Sequence, residues 1–191
     1  MHGADAERLF EVEALPHIDV LYRTAARLTT DRTEAEDLVQ DVYAQAWLSF
    51  GSYAPGTNCR AWLFKILMNK LEHLRRRRYA QLKRTADADA DLLAQTVAYV
   101  PPAGQELRDG EILAALGRVP ERFREVVLLA DVEEFSYREI AEVLGVPAGT
   151  VMSRLSRGRK LLREMLTGVA AGYGIGPAGG RTPPSRAAAA A

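Results

Sequence analysis

The chain has 191 residues, of which 48% are hydrophobic and 26% charged, a balance typical of a soluble globular protein. Lysine plus arginine and aspartate plus glutamate number 25 each, so the net charge is zero and favours no acidic partner. One cysteine and three scattered histidines exclude a disulfide framework and a cysteine–histidine metal cluster, and no cofactor is expected. The acidic N-terminus and the lack of a long apolar run predict a cytoplasmic protein without a signal peptide or membrane insertion.

Charge is unevenly distributed along this neutral chain. Residues 58–84 contain nine basic side chains and one acidic one, and residues 150–164 contain five basic side chains and one acidic one. The compensating acids lie in residues 31–41, 87–91 and 121–142. Two basic segments favour two surfaces that bind a polyanion, but solvated helix faces give the same pattern. Motifs must decide between these alternatives.

An amphipathic helix is predicted after residue 31. Its start is either a capping box of Thr33 with Glu36 or an N-cap at Asp31. Apolar residues then recur at helical spacing on one side (Leu38, Val39, Val42, Tyr43, Ala46, Trp47 and Phe50). Acidic and amide side chains remain on the polar side (Glu36, Asp37, Gln40 and Asp41).

A loop and a second helix follow. The Pro-Gly pair at residues 55–56 predicts a loop over 51–58. The next helix has apolar residues at helical spacing (Trp62, Leu63, Ile66, Leu67, Leu71 and Leu74) and ends in four arginines at 75–78. Residues 17–84 are therefore predicted to form a compact helical bundle after an N-terminal extension, residues 1–16.

The composition changes after this bundle. Residues 85–107 are rich in Asp and Ala and contain a Pro-Pro pair, which predicts a flexible linker. Fully extended, this linker spans at most about 75 Å. A helical domain is predicted over 108–167, with helices near 108–117 and 120–131, and residues 168–191 are predicted to be a disordered tail. We expect the two domains to be mobile relative to each other in the free protein.

A helix-turn-helix motif is predicted near residue 140. Ser136 and Glu139 have capping-box spacing, Gly145 suits a turn with positive φ, and Pro147 suits the first turn of the next helix. That helix has a core stripe (Val151, Leu155, Gly158 and Leu162) and an opposite face of small and basic residues. Such a face is suited to the major groove of DNA. The alternative is a basic helix at the end of an ordinary bundle, but the combination of signals favours DNA binding.

The chain resembles bacterial sigma factors of the extracytoplasmic-function (ECF) group, within the sigma-70 family. The resemblance rests on TEAEDLVQDVYAQAW with YAPGTNCRAWLFKILMNK, spanning residues 33–70, and on YREIAEVLGVPAGTVMSRLSRGRKLLRE at 137–164. It covers residues 17–166 and implies an all-α fold of two small helical domains. Residues 17–84 resemble sigma region 2 and residues 108–167 resemble sigma region 4. No segment resembling region 3 fits between them.

The resemblance implies roles for residues of the first domain. Asp37, Gln40 and Asp41 would contact the β′ clamp helices of core RNA polymerase. The loop and the helix after it would bind the −10 promoter element, and the candidates are Tyr53, Thr57, Asn58, Arg60, Lys65, Asn69, Arg75, Arg76, Arg77 and Arg78. Tyr53 is the preferred base-stacking aromatic because it lies in the loop. Trp62, on the apolar stripe, favours core packing.

In the second domain, the resemblance implies binding of duplex −35 DNA. The candidates at the family's contact positions are Thr150, Ser153, Arg154, Arg157 and Lys160. The sequence departs from the family at Met152, where a basic residue is frequent, and at Ser156, where an aromatic residue or histidine is frequent. The promoter sequence therefore cannot be taken over from the family.

The implied function is a promoter-specificity subunit of RNA polymerase that melts promoter DNA, with an anti-sigma factor as its implied regulator. Two alternatives are a regulator that binds duplex DNA without polymerase and a decoy that binds an anti-sigma factor without DNA. An enzyme is not expected, because the sequence has no phosphate-binding loop, nucleophile elbow or metal-ligand set. Cys59 beside the loop is either a redox sensor or, as its place next to Trp62 favours, a packed core residue.

Overall fold

The structure is a computed structural model that describes residues 3–86 and 107–172. Within these ranges all the regular secondary structure is helical, as the sequence predicts, and every helix is too short or too polar to cross a membrane. The helices are α1 (Gly3–Glu13), α2 (Ile18–Leu28), α3 (Arg32–Ser49), α4 (Cys59–Ala86), α5 (Leu107–Arg118), α6 (Glu121–Val127), α7 (Tyr137–Leu144) and α8 (Ala148–Gly172). The ends of α4 and α5 extend into the linker predicted over 85–107, and α8 continues to Gly172, into the tail predicted over 168–191. The other residues of the predicted linker and tail lie outside the described residues.

Helices α1 to α4 form an N-terminal bundle. Its core contains fully buried side chains from three helices, among them Leu21, Val42 and Leu63. Of the two predicted starts for α3, the structure has the N-cap at Asp31, whose carboxylate accepts a hydrogen bond from the Glu34 amide at 2.8 Å. The N-terminal extension is not separate from the bundle, because α1 packs on it.

An aromatic cluster attaches α1 to the bundle. The ring of Phe10 makes edge-on contacts with Trp47 and Phe50, with centroids 5.2 and 5.0 Å apart. The Tyr43 hydroxyl donates a hydrogen bond to the Ala14 carbonyl at 2.8 Å. Trp47 belongs to the predicted apolar stripe but is 47% exposed, although its ring contacts Phe10.

Helices α5 to α8 form a C-terminal bundle that contains the predicted helix-turn-helix. Ser136 and Glu139 make both hydrogen bonds of a capping box at the start of α7. Gly145 ends α7 in the left-handed conformation, with φ 63°, which glycine adopts without the strain that a Cβ brings. The recognition helix α8 then starts at Ala148, directly after Pro147.

The chain after α6 differs from the continuous helix predicted to residue 131. Regular α-helix ends at Val127, and residues 128–132 form a π-helical turn in which the Glu133 amide donates to the Leu128 carbonyl at 2.9 Å. Glu134 then has φ 55°, a left-handed conformation that is rare for residues other than glycine. The wider turn directs the Glu133 side chain toward the N-terminal bundle, where Glu133 is only 5% exposed.

The two bundles pack against each other in this structure. Buried residues of both belong to one continuous apolar cluster, and the rings of Phe64 and Phe135 meet edge-on at 5.0 Å. The reason lies in α4, whose buried residues occupy more than one side of the helix. One side packs on α2 and α3, and Phe64 on another side contacts the C-terminal bundle.

We predict that Gly158→Ala destabilises the protein. A Cβ at Gly158 would lie 2.6 Å from Val127 Cγ2 and 3.2 Å from the Phe123 carbonyl oxygen, so α8 would have to move away from α6. We expect this overpacking, about 1–3 kcal/mol, to exceed the gain in helix propensity of about 0.5–1 kcal/mol. Urea unfolding measures the net free energy.

Gly110→Ala is the matched control for this substitution. A Cβ at Gly110, in α5, would meet no atom within 4 Å, so the variant should be as stable as the wild type or gain up to about 1 kcal/mol. If the free energy of unfolding changed equally in the two variants, the contact between α8 and α6 would tolerate a methyl group.

Candidate nucleic-acid interfaces

The predicted −35 residues lie on one face of α8. At about 100° per residue, Thr150, Ser153, Arg154, Arg157 and Lys160 fall within an arc of about 120°. All five are exposed or partly exposed, whereas Val151, Leu155 and Gly158 on the opposite side are buried. The core stripe therefore fixes the rotation of α8 and leaves this recognition face open to solvent.

A basic residue of α8 outside the recognition face has a different role. Arg159 points away from that face and donates from Nε to Asp131 Oδ2 at 3.1 Å. Asp131 lies in the π-helical turn, so this ion pair connects the recognition helix to α6. Not every basic side chain of α8 is therefore equally available to DNA.

The predicted −10 residues separate into two groups. Asn58, Arg60 and Arg75 face the C-terminal bundle. Lys65, Asn69 and Arg76 lie about 80° or more around α4 from Arg60 and Arg75 and are exposed. Arg76 pairs with Glu72 on the same helix. Thr57 is also exposed, in the loop before α4.

Tyr53 is placed differently from the sequence expectation. It is only 7% exposed and stacks on Phe50 at 5.4 Å, because the loop folds back onto α1. Its hydroxyl donates to Glu13 Oε2 at 2.5 Å, and burial together with this hydrogen bond raises the pKa of Tyr53 to about 12. The ring is thus a core residue in this conformation and is not presented to a base. Trp62 lies partly buried against Tyr53, with centroids 5.1 Å apart.

A groove between α3 and α4 brings candidate polymerase and −10 residues together. It has a volume of about 840 Å³, with Asp37 and Asp41 on the α3 wall and Asn69 and Arg77 on the α4 wall. The groove is therefore acidic on the α3 side, and its α4 side carries the basic residues Lys70 and Arg77. The third polymerase candidate, Gln40, is exposed but is not among the residues that line the groove.

The four arginines at 75–78 point in different directions. Arg75 pairs with Glu125 of α6, and Arg78 pairs with Glu34 of α3. Arg77 lines the groove. A run of basic residues on one helix therefore does not form one phosphate-binding surface.

The acidic residues that contact the −10 candidates were not predicted from the sequence. These residues form an acidic face of the C-terminal bundle (Glu121, Glu125, Glu133 and Glu139). The available signal was the acidic segment 121–142, which was interpreted only as compensating charge. Its position opposite α4 depends on tertiary packing and on the π-helical turn, and neither has a simple sequence pattern.

Cys59 is the first residue of α4 and is 7% exposed. Burial raises the pKa of its thiol, so the reactive thiolate is disfavoured at neutral pH. This environment supports a packed core residue over a redox sensor.

Comparison with known proteins gives two family matches. Sigma-70 region 2 matches residues 15–80, and sigma-70 region 4 matches residues 109–162. The ECF RNA polymerase sigma factor SigE of Mycolicibacterium smegmatis is 38% identical over 154 residues, which cover 78% of this chain and 58% of that protein. The ECF RNA polymerase sigma factor EcfG of Rhodopseudomonas palustris is 33% identical over 154 residues, which cover 81% of this chain and 83% of that protein.

Two solved structures are also similar. The sigma factor RpoE in complex with the anti-sigma factor NepR, from Bartonella quintana, aligns with a TM-score of 0.70 and 33% identity, over 82% of this chain and 96% of that one. CnrH in complex with the cytosolic domain of CnrY aligns with a TM-score of 0.60 and 28% identity, over 85% of this chain and 93% of that one.

We predict that the capping box of α7 makes stability depend on pH. Hydrogen bonds from the Ser136 hydroxyl and amide hold the pKa of the Glu139 carboxyl below its usual value. A pKa that is lower in the folded state stabilises the protein above the unfolded pKa, and this contribution is lost as pH falls through the folded pKa. Ser136→Ala should therefore cost about 1 kcal/mol at pH 7 and less in acid.

Urea unfolding of both proteins at neutral pH and near pH 3 measures this difference. Ser52→Ala is the control, because its hydroxyl donates only to the Ser49 carbonyl at 2.7 Å in the hydrogen bonds of the structure and has no carboxylate partner there. If Ser136→Ala lowered the free energy of unfolding by the same amount at both pH values, this would contradict a contribution from the Glu139 carboxylate.

Proposed function

Since the chain belongs to the ECF group of the sigma-70 family, we propose that it is a promoter-specificity subunit of RNA polymerase. It binds core polymerase, recognises −35 and −10 promoter elements and helps to open the DNA. Family members are transcription regulators, and RNA synthesis itself belongs to the polymerase. Because RNA polymerase acts on chromosomal DNA, a protein with this function acts in the cytoplasm.

The observation that carries this proposal is a region 2 match and a region 4 match in one chain, with an open recognition face on α8. A regulator that binds only duplex DNA needs the helix-turn-helix alone. The helix-turn-helix here accounts for less than half of the described chain. The N-terminal bundle supplies a second basic surface and an acidic one, which fits a protein with two kinds of partner.

In the −35 complex, α8 enters the major groove. Its N-terminal residues Thr150 and Ser153 approach base edges, and Arg154 and Arg157 reach bases or phosphates. An arginine can donate two hydrogen bonds to O6 and N7 of guanine, which gives sequence preference. Lys160, further along the helix, is placed for a phosphate.

In the −10 complex, α4 and the loop before it bind the separated strand. Opening the duplex costs a few kcal/mol per flipped base, and contacts to the freed strand compensate for this cost. The exposed residues Thr57, Lys65, Asn69 and Arg76 are available for such contacts in this conformation. Asn58, Arg60 and Arg75 have carboxylate partners in the C-terminal bundle and lose them only when the two bundles separate.

Core polymerase binds the acidic side of the N-terminal bundle. Asp37, Gln40 and Asp41 are exposed on α3, on the polar side of a helix whose other side is buried. A helix of the polymerase that carries basic residues would complement the charge of this acidic side, and we propose that the β′ clamp helices are this partner.

An anti-sigma factor regulates the protein in this proposal. The support is the similarity to the Bartonella quintana sigma factor solved with its anti-sigma factor NepR, which covers 82% of this chain. An inhibitor that contacts both bundles would hold them together and keep polymerase or DNA away.

Run-off transcription with purified core polymerase on a genomic promoter library tests the function. We expect promoter-specific transcripts with the wild-type chain and none with Asp37→Lys, because a positive charge replaces the acidic contact. Glu7→Lys is the control, since it makes the same charge change on an exposed position of α1. Specific DNA binding without any transcript would instead identify a regulator that does not bind polymerase.

We predict that Arg157→Ala reduces discrimination between the cognate −35 sequence and other duplexes by about 1–3 kcal/mol. Competition binding with cognate and scrambled duplexes measures this difference. Arg159→Ala is the matched control on the same helix, because Arg159 pairs with Asp131 and should change affinity without changing preference. An equal loss on both duplexes for Arg157→Ala would mean that this side chain contacts only the backbone.

A further inference from the structure

The acidic face of the C-terminal bundle covers part of the proposed −10 surface. Three of the basic or polar side chains expected to contact DNA already have carboxylate partners there. Asn58 Nδ2 donates to Glu139 Oε1 at 2.6 Å, Arg60 pairs with Glu133, and Arg75 pairs with Glu125. Each of these carboxylates therefore engages a polar group that is expected to contact the DNA strand.

The contact around Glu133 is the most buried of the three. The Glu133 side chain is 6% exposed and that of Arg60 is 29% exposed. Arg60 Nη1 also donates to the Glu133 carbonyl at 2.8 Å, and the Thr24 hydroxyl donates to the Glu133 carboxylate at 2.7 Å. The Arg60 guanidinium further lies 4.6 Å from the centre of the Phe135 ring. Both charges are thus paired and hydrogen-bonded, as burial of charges requires.

The second ion-pair site extends the contact along α4. Arg75 pairs with Glu125, and its Nε lies 3.4 Å from Glu121 Oε2. The side chains of Arg75 and Glu125 are 20% and 15% exposed, so salt in solution screens them only in part. The Phe64–Phe135 contact lies on the same side of α4 and adds apolar area.

Other candidate surfaces stay open in the same arrangement. Ser153, Arg157 and Lys160 of the recognition face are exposed. So are the polymerase candidates Asp37 and Asp41. The contact between the bundles therefore selectively covers part of the −10 surface.

The closed arrangement is also too short for a promoter. Elements centred near −35 and −10 are about 25 base pairs apart, or about 85 Å along B-DNA. A compact chain of about 150 residues has a radius of gyration of about 15 Å. One closed molecule cannot reach both elements, so the bundles must separate before both are bound.

We propose that the acidic face holds the chain in a closed, autoinhibited form in which the recognition face can bind duplex DNA but Asn58, Arg60 and Arg75 cannot bind single-stranded DNA. The inference rests on the proposed −10 role of these three residues. Release exchanges each carboxylate for a phosphate of the strand, so charge pairing is conserved while the bundles move apart. Affinity for a single strand is reduced by the fraction of molecules that are open.

Neutralising two carboxylates tests the proposal in the full-length chain. Glu125→Gln with Glu133→Gln removes the charges that face Arg75 and Arg60. Glu142→Gln with Glu164→Gln is the matched control, because it removes the same charge from exposed pairs within the C-terminal bundle. Circular dichroism confirms that each protein is folded.

Two readouts separate closure from DNA binding. The first is resonance energy transfer between dyes at Gln45→Cys and Met152→Cys, both exposed positions, in a Cys59→Ser background. The second is fluorescence anisotropy of unlabelled protein with a labelled oligothymidylate of about 20 nucleotides and with a duplex of equal length.

We expect the Glu125/Glu133 variant to lose energy transfer and to bind oligothymidylate at least about fivefold more tightly, with a smaller gain on the duplex. The Glu142/Glu164 control should keep energy transfer and should not increase affinity for oligothymidylate more than affinity for the duplex. Thr24→Val, which removes one hydrogen bond to Glu133 without changing charge, should shift both readouts in the direction of opening.

Unchanged energy transfer in both the Glu125/Glu133 and Thr24 variants would overturn the proposal, because the acidic face would then not hold the bundles together. Loss of energy transfer without tighter binding of oligothymidylate would also overturn the proposal. That result would show that Asn58, Arg60 and Arg75 do not contact the strand. Neither result would contradict promoter-directed transcription, which the run-off assay tests separately.

Discussion

The buried pair of Glu133 and Arg60 determines how the two halves of this protein are arranged. The π-helical turn and the left-handed conformation of Glu134 direct the Glu133 side chain toward α4. Once Glu133 is placed, Thr24 and Arg60 satisfy its carboxylate. The Phe64–Phe135 contact and the Arg75–Glu125 pair then lie on the same interface. Removing one partner of such a buried pair costs about 3–5 kcal/mol, so the pair strongly disfavours arrangements in which either charge stays buried without the other.

The same basic residues take part in folding and in the proposed binding. Arg60 and Arg75 pair with carboxylates of the C-terminal bundle and are also expected to contact a negatively charged strand. The side chains on the recognition face of α8 have no comparable partner across the interface in the described residues. Under the proposed function, the carboxylates of the C-terminal bundle compete with DNA for Arg60 and Arg75, whereas no such competition affects the recognition face.

Local signals in the sequence predicted the helix-turn-helix correctly. The Ser136–Glu139 capping box, the Gly145 turn and the buried stripe of α8 depend on interactions within a few residues or on helical periodicity, both of which can be derived from sequence. Helix-capping signals are also local, and they limited the predicted start of α3 to two positions, an N-cap at Asp31 or a capping box at Thr33. Family resemblance supplied the candidate residues, and the fold placed the recognition face on one side of α8.

Features that depend on distant residues were not predictable in this way. Tyr53 was expected at the surface because it lies in a loop, but contacts with Glu13 and Phe50 bury it. The acidic face was interpreted as compensating charge, because its partner helix is about 60 residues away in the chain. The four arginines at 75–78 looked equivalent in sequence and differ only through what packs beside each.

The separation of buried and open positions on α8 has a consequence for evolution. Val151, Leu155 and Gly158 determine how the helix sits on its bundle, and none of them lies on the recognition face. Under the proposed −35 role, substitutions at Ser153 or Arg157 would therefore redirect the protein to new target genes while the bundle remains folded. Preference for DNA would then diversify quickly in such a scaffold, while the packing beneath it stays constant.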